Sequence, residues 1–278
     1  MKAVMAMAAG LMLAAAAPAS ASDPVVKLWR LDCGKVKNGD LGMFADSFAL
    51  DGKRKDIVIS CYLIRHGDDY LLWDTGFGAE LAGREEEPIP GVKVSLARTV
   101  VDQLRQIGVK SEQVRHVAIS HMHYDHSGQA DSFPKATLLM GAEDLAILSA
   151  NPKNPLLEPQ RFDPWLKGDA PKEAVNGDKD IYGDGSVVML TLPGHTPGHH
   201  GLLVRLKNKG PVLISGDLYH VAEQVPLNAV PTFNMDRAQT LSSQQRFGAI
   251  AQALKPTVII AHEPADVAKL PTFPESAD

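Results

Sequence analysis

The chain lacks an excess of positive charge. Its 28 Lys and Arg face 33 Asp and Glu, for a formal net charge of -5. A nucleic-acid surface needs clustered basic side chains against phosphates, so no nucleic-acid partner is expected. The short run Lys53-Arg54-Lys55 reads as a solvated turn. Long apolar runs are missing too, with one exception at the start. Elsewhere no segment approaches the roughly 20 apolar residues that span a bilayer, so no stable membrane anchor is expected. Cysteine is scarce: Cys33 and Cys61 are the two. Neither lies beside the early apolar run, which argues against a lipid anchor. Internal repeats, and a linker that would mark a second domain, are absent as well.

The exception is MKAVMAMAAGLMLAAAAPASAS. Lys2 precedes an apolar run from Ala3 to Ala17, and Ala19-Ser20-Ala21 supplies a small-x-small cleavage pattern. This reads as a secretory signal peptide over residues 1–21, cut after Ala21. Residues 22–278 are then expected to form a single exported domain, secreted or periplasmic, of a size that one core can serve. Export permits a disulfide. Cys61, however, lies in the apolar run Ile57–Ile64, where a free thiol behaves as a small buried hydrophobe. The reading favours free thiols over a bridge.

Short β-rich runs alternate with turns and a few helices. Val25–Leu31 reads as a strand; Ile57–Arg65 and Tyr70–Asp74, joined by Gly67-Asp68-Asp69, read as a hairpin. Apolar residues at Val94, Ala97, Val101, Leu104 and Ile107, followed by Gly108, predict a helix with a glycine cap. Strands are expected at Val117–Ser120, Ala136–Met140, Val187–Leu192, Leu202–Leu206, Val212–Ser215 and Val258–Ala261. Helices are expected at Ala142–Leu148 and Arg237–Leu254. The Pro-, Gly-, Asp- and Lys-rich stretch from Asn151 to Asp184 reads as a long surface excursion. Strand pairs with interspersed helices fit two packed sheets with helices outside.

What the chain does have is ISHMHYDHSG. His121, His123, Asp125 and His126 fall within six residues of a chain with ten histidines. Imidazole and carboxylate are the donor set for zinc and similar divalent ions. Three further candidates each follow an apolar strand: His195 after Val187–Leu192, Asp217 after Val212–Ser215, and His262 after Val258–Ala261. Strand ends along one edge can converge, and they hold side chains more firmly than free loops do. His199 reads as support for a ligand imidazole, and His200 as a core or surface residue. His66 and His116 read as structural. Asp74 lacks a basic neighbour in sequence and reads as support for the metal site rather than as a ligand.

HMHYDH resembles the H-x-H-x-D-H motif of the metallo-β-lactamase superfamily. LPGHTPGH, ISGD and IIAHE resemble its later ligand motifs in order, and Leu72-Trp73-Asp74-Thr75-Gly76 its early strand-turn segment. The resemblance implies an α+β fold, an αββα sandwich of two mixed sheets with helices on the outer faces. It implies two divalent metal ions at one edge. His121, His123 and His195 would bind one, Asp125, His126 and His262 the other, and Asp217 would bridge them. Seven protein ligands are too many for one tetrahedral ion but suit two. Zinc is the default for so many histidines; manganese, cobalt and iron also fit. A water shared by two such cations becomes hydroxide near neutral pH. Asp125 could orient it or carry its proton to a leaving group.

Leu28-Trp29-Arg30-Leu31-Asp32-Cys33-Gly34, Ser60-Cys61-Tyr62-Leu63-Ile64 and HMHYDHSGQ look like the N-acyl-homoserine lactonase branch, whose members open the lactone ring of quorum-sensing signals. That implies a small lactone or ester as partner, and a homodimer is left open. An apolar groove for the acyl chain would draw on Met43, Phe44 and Phe48, and on Leu227, Val230, Phe233 and Met235. One departure stands out. Many members of the branch carry a tyrosine three residues after the bridging aspartate; here that place is His220, with Tyr219 one earlier. Both enter as candidate catalytic residues, since a histidine can donate a hydrogen bond or move a proton. A β-lactamase of the superfamily typically lacks an aspartate at the position of Asp217. A glyoxalase-II-type thioesterase normally adds basic residues late in the chain, where only Lys269 follows His262. A non-catalytic metal-binding or sensory protein would keep the ligands without needing Asp125.

Overall fold

The computed structural model describes residues 24–278. The expected signal peptide, residues 1–21, lies outside the described residues. Eight strands form the first sheet: β1 (Val26–Asp40), β2 (Arg54–His66), β3 (Asp69–Trp73), β4 (Arg84–Ile89), β5 (Val92–Leu96), β6 (Val114–Ile119), β7 (Thr137–Gly141) and β8 (Lys172–Val175). Their order is β4-β5-β1-β2-β3-β6-β7-β8. The second sheet holds β9 (Lys179–Asp180), β10 (Val187–Thr191), β11 (His200–Leu206), β12 (Gly210–Ile214) and β13 (Thr257–Ile259), in the order β13-β12-β11-β10-β9. Both sheets mix parallel and antiparallel pairs.

Strand alternation explains the layering, because successive side chains leave opposite faces. On β2 and β3, Tyr62, Ile64, Leu71 and Trp73 pack toward the second sheet. There they meet Met189, Leu202, Val204, Val212 and Ile214. Their neighbours Cys61, Leu63 and Leu72 face outward, under α1 (Val100–Gln106) and α3 (Ala142–Ser149), between which the chain makes the single helical turn α2 (Tyr124–Ser127). Fully burying each such leucine contributes about 2 kcal/mol. On the far face of the second sheet, Leu190, Leu203 and Leu213 pack under Phe247 of the long helix Arg237–Leu254. That helix starts where the Asp236 side chain accepts from the Gln239 N–H at 2.9 Å, and it ends at left-handed Lys255. Thr240, Ser243, Gln244 and Phe247 make its buried stripe. The result is the four-layer αββα sandwich expected above.

Three expectations are corrected. The helix predicted from Val94 begins later: Val94 belongs to β5, pairs with Val36 and Glu86, and Thr99 caps α1 at Val100. Val94 and Leu96 also satisfy a period of two, and pairing with β1 decides the outcome. The stretch from Asn151 to Asp184 is no mere surface excursion. Phe162 and Trp165 are fully buried, Trp165 Nε1 donates to Ala136 O at 2.8 Å, and β8 extends the first sheet beside β7. Finally, Cys33 and Cys61 form a disulfide across 5.8 Å between Cα atoms. Cys33 is two residues from Leu31, the register partner of Cys61, so alternation puts both cysteines on the face that packs into the outer core.

Candidate metal centre

β10, β12 and β13 run the same way, since β12 is parallel to β13 and β11 lies antiparallel between β10 and β12. Their ends therefore deliver His195, Asp217 and His262 to one edge. From the first sheet, β6 ends at Ile119 and leads into His121, His123 and the single turn Tyr124–Ser127 that carries Asp125 and His126. Asp217 sits in a short 3-10 turn after β12. Gly216 precedes it at φ +54, and a Cβ there would strike the His199 ring. Glycine is what lets the turn close on its neighbour.

The side chains converge on two points. His121 Nε2 and His195 Nε2 lie 2.9 and 3.1 Å from His123 Nδ1, and each lies 3.5 Å from Asp217 Oδ2. On the other side, His262 Nε2 and His126 Nε2 lie 2.9 and 3.1 Å from Asp217 Oδ1, with Asp125 Oδ2 3.8 and 3.6 Å away. These groupings, His121–His123–His195–Asp217 and Asp125–His126–His262, have the compactness of metal-ligand sets. Their outer atoms are held as well. His121 Nδ1 meets Ser120 Oγ at 3.0 Å, His126 Nδ1 meets Asp74 Oδ2 at 2.9 Å, and His262 Nδ1 meets Val58 O at 2.8 Å. Such partners fix ring orientation and tautomer.

The residues fit two divalent cations. Three imidazole nitrogens face one point, and a single proton can satisfy two of them while a cation takes all three lone pairs. Among the described residues, His126 Nε2 and Asp217 Oδ1 are buried without a well-aligned hydrogen bond, although they approach within 3.1 Å. Charge points the same way. Burial, reinforced by neighbouring imidazoles, pushes His121 and His195 well below the ordinary histidine range, and burial brings His123 to about 4. Burial also disfavours charge on His126 and His262, yet Asp217 and Asp125 outweigh it and raise both. Burial would raise Asp217, but His126, His262 and His220 hold it well below the carboxylate range. One lobe offers neutral lone pairs and the other attracts positive charge, as a cation site requires.

The family model for the metallo-beta-lactamase superfamily matches residues 54–262. The chain belongs to that superfamily. It is 28% identical over 248 residues to the N-acyl homoserine lactonase AttM of Rhizobium radiobacter, spanning 80% of this chain and 89% of that one. It is 26% identical over 236 residues to an N-acyl homoserine lactonase of a Bacillus species, spanning 81% and 88%. Among solved structures, a quorum-quenching N-acyl homoserine lactone hydrolase shares the fold. The TM-score is 0.75 at 21% identity, over 92% of this chain and 100% of that one. AidC, a dizinc quorum-quenching lactonase, gives 0.64 at 18% identity, over 92% and 91%.

Within this metallo-β-lactamase fold, the seven proposed ligands stand together. Asp74 lies behind them as expected: Oδ1 accepts from Ser120 N–H at 2.7 Å while Oδ2 holds His126. His199 supports the bridging residue. Its Nδ1 faces Leu192 O at 2.8 Å and its Nε2 accepts from the Asp217 N–H at 2.9 Å, and burial lowers it to about 3. His200 is buried against Gly198 O. His66 pairs with Asp184 at 2.7 Å and stacks on Tyr182, and His116 meets the edge of the same ring, all remote from the ligands.

His220 enters the site and Tyr219 does not. His220 Nε2 lies 3.1 Å from Asp217 Oδ2, and its ring stacks on Phe44 with centroids 4.5 Å apart. Tyr219 packs against Phe247 among the leucines beneath the long helix. The backbone at Tyr219 is extended (φ -137, ψ 136), so consecutive side chains diverge, and Tyr219 is withdrawn as a catalytic candidate. Of the groove residues, Phe233 is nearest the chemistry, with its ring 5.4 Å from His220 and 5.7 Å from His195. Phe44 is 6.2 Å from it. Met43 and Met235 are exposed, but their backbones tie to Thr232 and His195. Leu227 and Phe48 are exposed, and Val230 is buried with its carbonyl on Asp46 N.

Two residues escaped the sequence reading. Gln224 accepts from His220 N–H at 2.5 Å and donates to Phe44 O at 2.9 Å, joining the two halves of that stack. Asp144, on α3, is fully buried and bonded to both ligand loops. A buried side chain near a motif but remote in sequence leaves no local periodic signal.

Proposed function

We propose that the protein is a metal-dependent hydrolase that opens the lactone ring of N-acyl-homoserine lactones, and so quenches quorum-sensing signals. The observation that carries the reading is the placement of Asp217 between two imidazole clusters. Similarity to lactonases such as AttM supports the substrate class.

Bound at the two points, divalent cations supply Lewis acidity and an activated water; zinc suits the imidazole donors best. The chain's own residues do the rest. Hydrolysis adds water across the ring ester: the carbonyl carbon gains OH, the carbon–oxygen ring bond breaks, and the ring oxygen gains H. The Asp125 side chain is 19% exposed at the rim of the second cluster, where it can hold that proton and pass it to the leaving oxygen. His220 Nε2 lies 3.1 Å from Asp217 Oδ2, and among the described residues neither ring nitrogen makes a well-aligned hydrogen bond, so an N–H of this ring can hold the lactone carbonyl. Phe44 and Phe233 wall the approach and give the acyl chain an apolar surface.

We also propose that the protein works after export, with residues 1–21 removed. The Cys33–Cys61 bridge supports an oxidising compartment. N-terminal sequencing of the protein recovered from its host tests this, and a retained Met1 would overturn it.

A panel of N-acyl-homoserine lactones of increasing acyl length, with a thioester and a β-lactam beside them, tests the substrate class. The proposal expects lactone opening to dominate. Faster thioester cleavage would shift the reading to a glyoxalase-II-like enzyme, and β-lactam cleavage to a β-lactamase-type one. No turnover of any class by fully metal-loaded protein would favour a non-catalytic metal-binding role.

A further inference from the structure

We infer that Asp144 is a positioning residue of the metal centre: its one carboxylate clasps the two loops that carry His121, His123 and His195. The inference rests on the metal reading above. Asp144 lies in the first turn of α3 and is fully buried. Its Oδ2 accepts from the Met122 N–H at 3.1 Å and from the Thr196 hydroxyl at 2.6 Å, and its Oδ1 accepts from the Gly198 N–H at 2.7 Å. Met122 stands between two proposed ligands, and Thr196 directly follows a third.

A favourable helix dipole would not explain this arrangement. An acid in the first turn helps a helix from the surface, and Glu143 already provides one. Burying a carboxylate is costly unless it is well hydrogen-bonded, so Asp144 holds its place through these three donors. The approach is close by construction. A Cβ at Gly198 would collide with Asp144, and one at Gly141 would collide with the Gly198 carbonyl. His121, His123 and His195 belong to two loops from different sheets, yet their nitrogens meet within 3.1 Å. Beside the backbone bond from His200 N–H to Ser120 O at 2.9 Å, Asp144 ties the two loops through a buried side chain and so helps to fix their separation.

Asparagine in its place has one acceptor oxygen. Whichever way it turns, its NH2 faces Met122 N–H or Gly198 N–H. Asp144→Asn is therefore expected to loosen the pair of loops while changing little in volume. The first readout is Zn(II) affinity by competition with a chromophoric chelator on the full chain. The second is the visible band of the Co(II)-loaded protein, which reports ligand geometry. Asp144→Asn should weaken one of the two sites by about 10-fold or more, the usual cost of losing a supporting group, and shift the Co(II) band. Thr196→Val removes one donor and should move both readouts the same way by less; if Asp144→Asn does not fold, this variant decides. Wild-type affinity at both sites and an unchanged band in the variants would overturn the inference. A wild-type protein that binds neither metal would instead sink the metal reading beneath it.

Discussion

Asp217 divides its carboxylate between the two lobes of the site. Oδ1 faces His262 and His126 at 2.9 and 3.1 Å, and Oδ2 faces His121 and His195 at 3.5 Å. A single side chain thus touches both clusters. Asp217→Asn keeps the shape but replaces one anionic oxygen with an amide donor. Metal content should fall from two equivalents toward one, and lactone turnover should drop on the order of 100-fold. Elemental analysis alongside kinetics checks this. Two tightly bound ions with near-normal turnover would show that Asp217 does not bridge.

His220→Phe preserves the stack on Phe44 and removes both ring nitrogens. Metal content should stay at the wild-type level while kcat falls on the order of 100-fold, the usual cost of losing a group that donates to the reacting oxygen. Full turnover in this variant would end any role for His220 in the chemistry.

Phe233 is half-buried and borders His123, His195 and His220. Phe233→Ala should raise KM several-fold for long-chain lactones and much less for short ones, because each buried methylene contributes about 1 kcal/mol. An equal change across chain lengths would place the acyl groove elsewhere.

Burial pushes the Asp144 carboxyl up to about 6, above the 3.8 of an exposed aspartate. A carboxyl raised on folding binds its proton more tightly in the native state. Its contribution to stability is therefore full below about pH 4 and is lost as pH rises to about 6, a change of roughly 3 kcal/mol. Urea unfolding of metal-free wild type and Asp144→Asn across this window should show the wild type losing ground relative to the variant as pH rises. A difference independent of pH would contradict the assignment.

Local pattern made much of this protein legible. The hairpin of β2 and β3 and the helix Arg237–Leu254 follow from periodicity and turn chemistry, and four of the ligand candidates, His121, His195, Asp217 and His262, follow strand ends. Long-range pairing decided the rest. Val94 fits a helix until β1 offers it a strand partner. Phe162 and Trp165 anchor a stretch whose composition reads as loop. The Cys33–Cys61 bridge depends on the register in which β1 and β2 pair, which neither strand's own sequence sets. Tyr219 and His220 are equal candidates in sequence, and only the direction of the chain separates them. Asp144 lies about twenty residues from the nearest ligand motif, and contact alone reveals it.

The central claim is that two cations held by these seven side chains open a lactone. It is tested most directly by stripping the purified protein with a chelator, returning zinc in measured steps, and following acid release from an N-acyl-homoserine lactone. Activity should vanish on stripping and return in full only as the second equivalent binds. Lactone opening that survives stripping, or that never appears with both sites filled, would contradict the account.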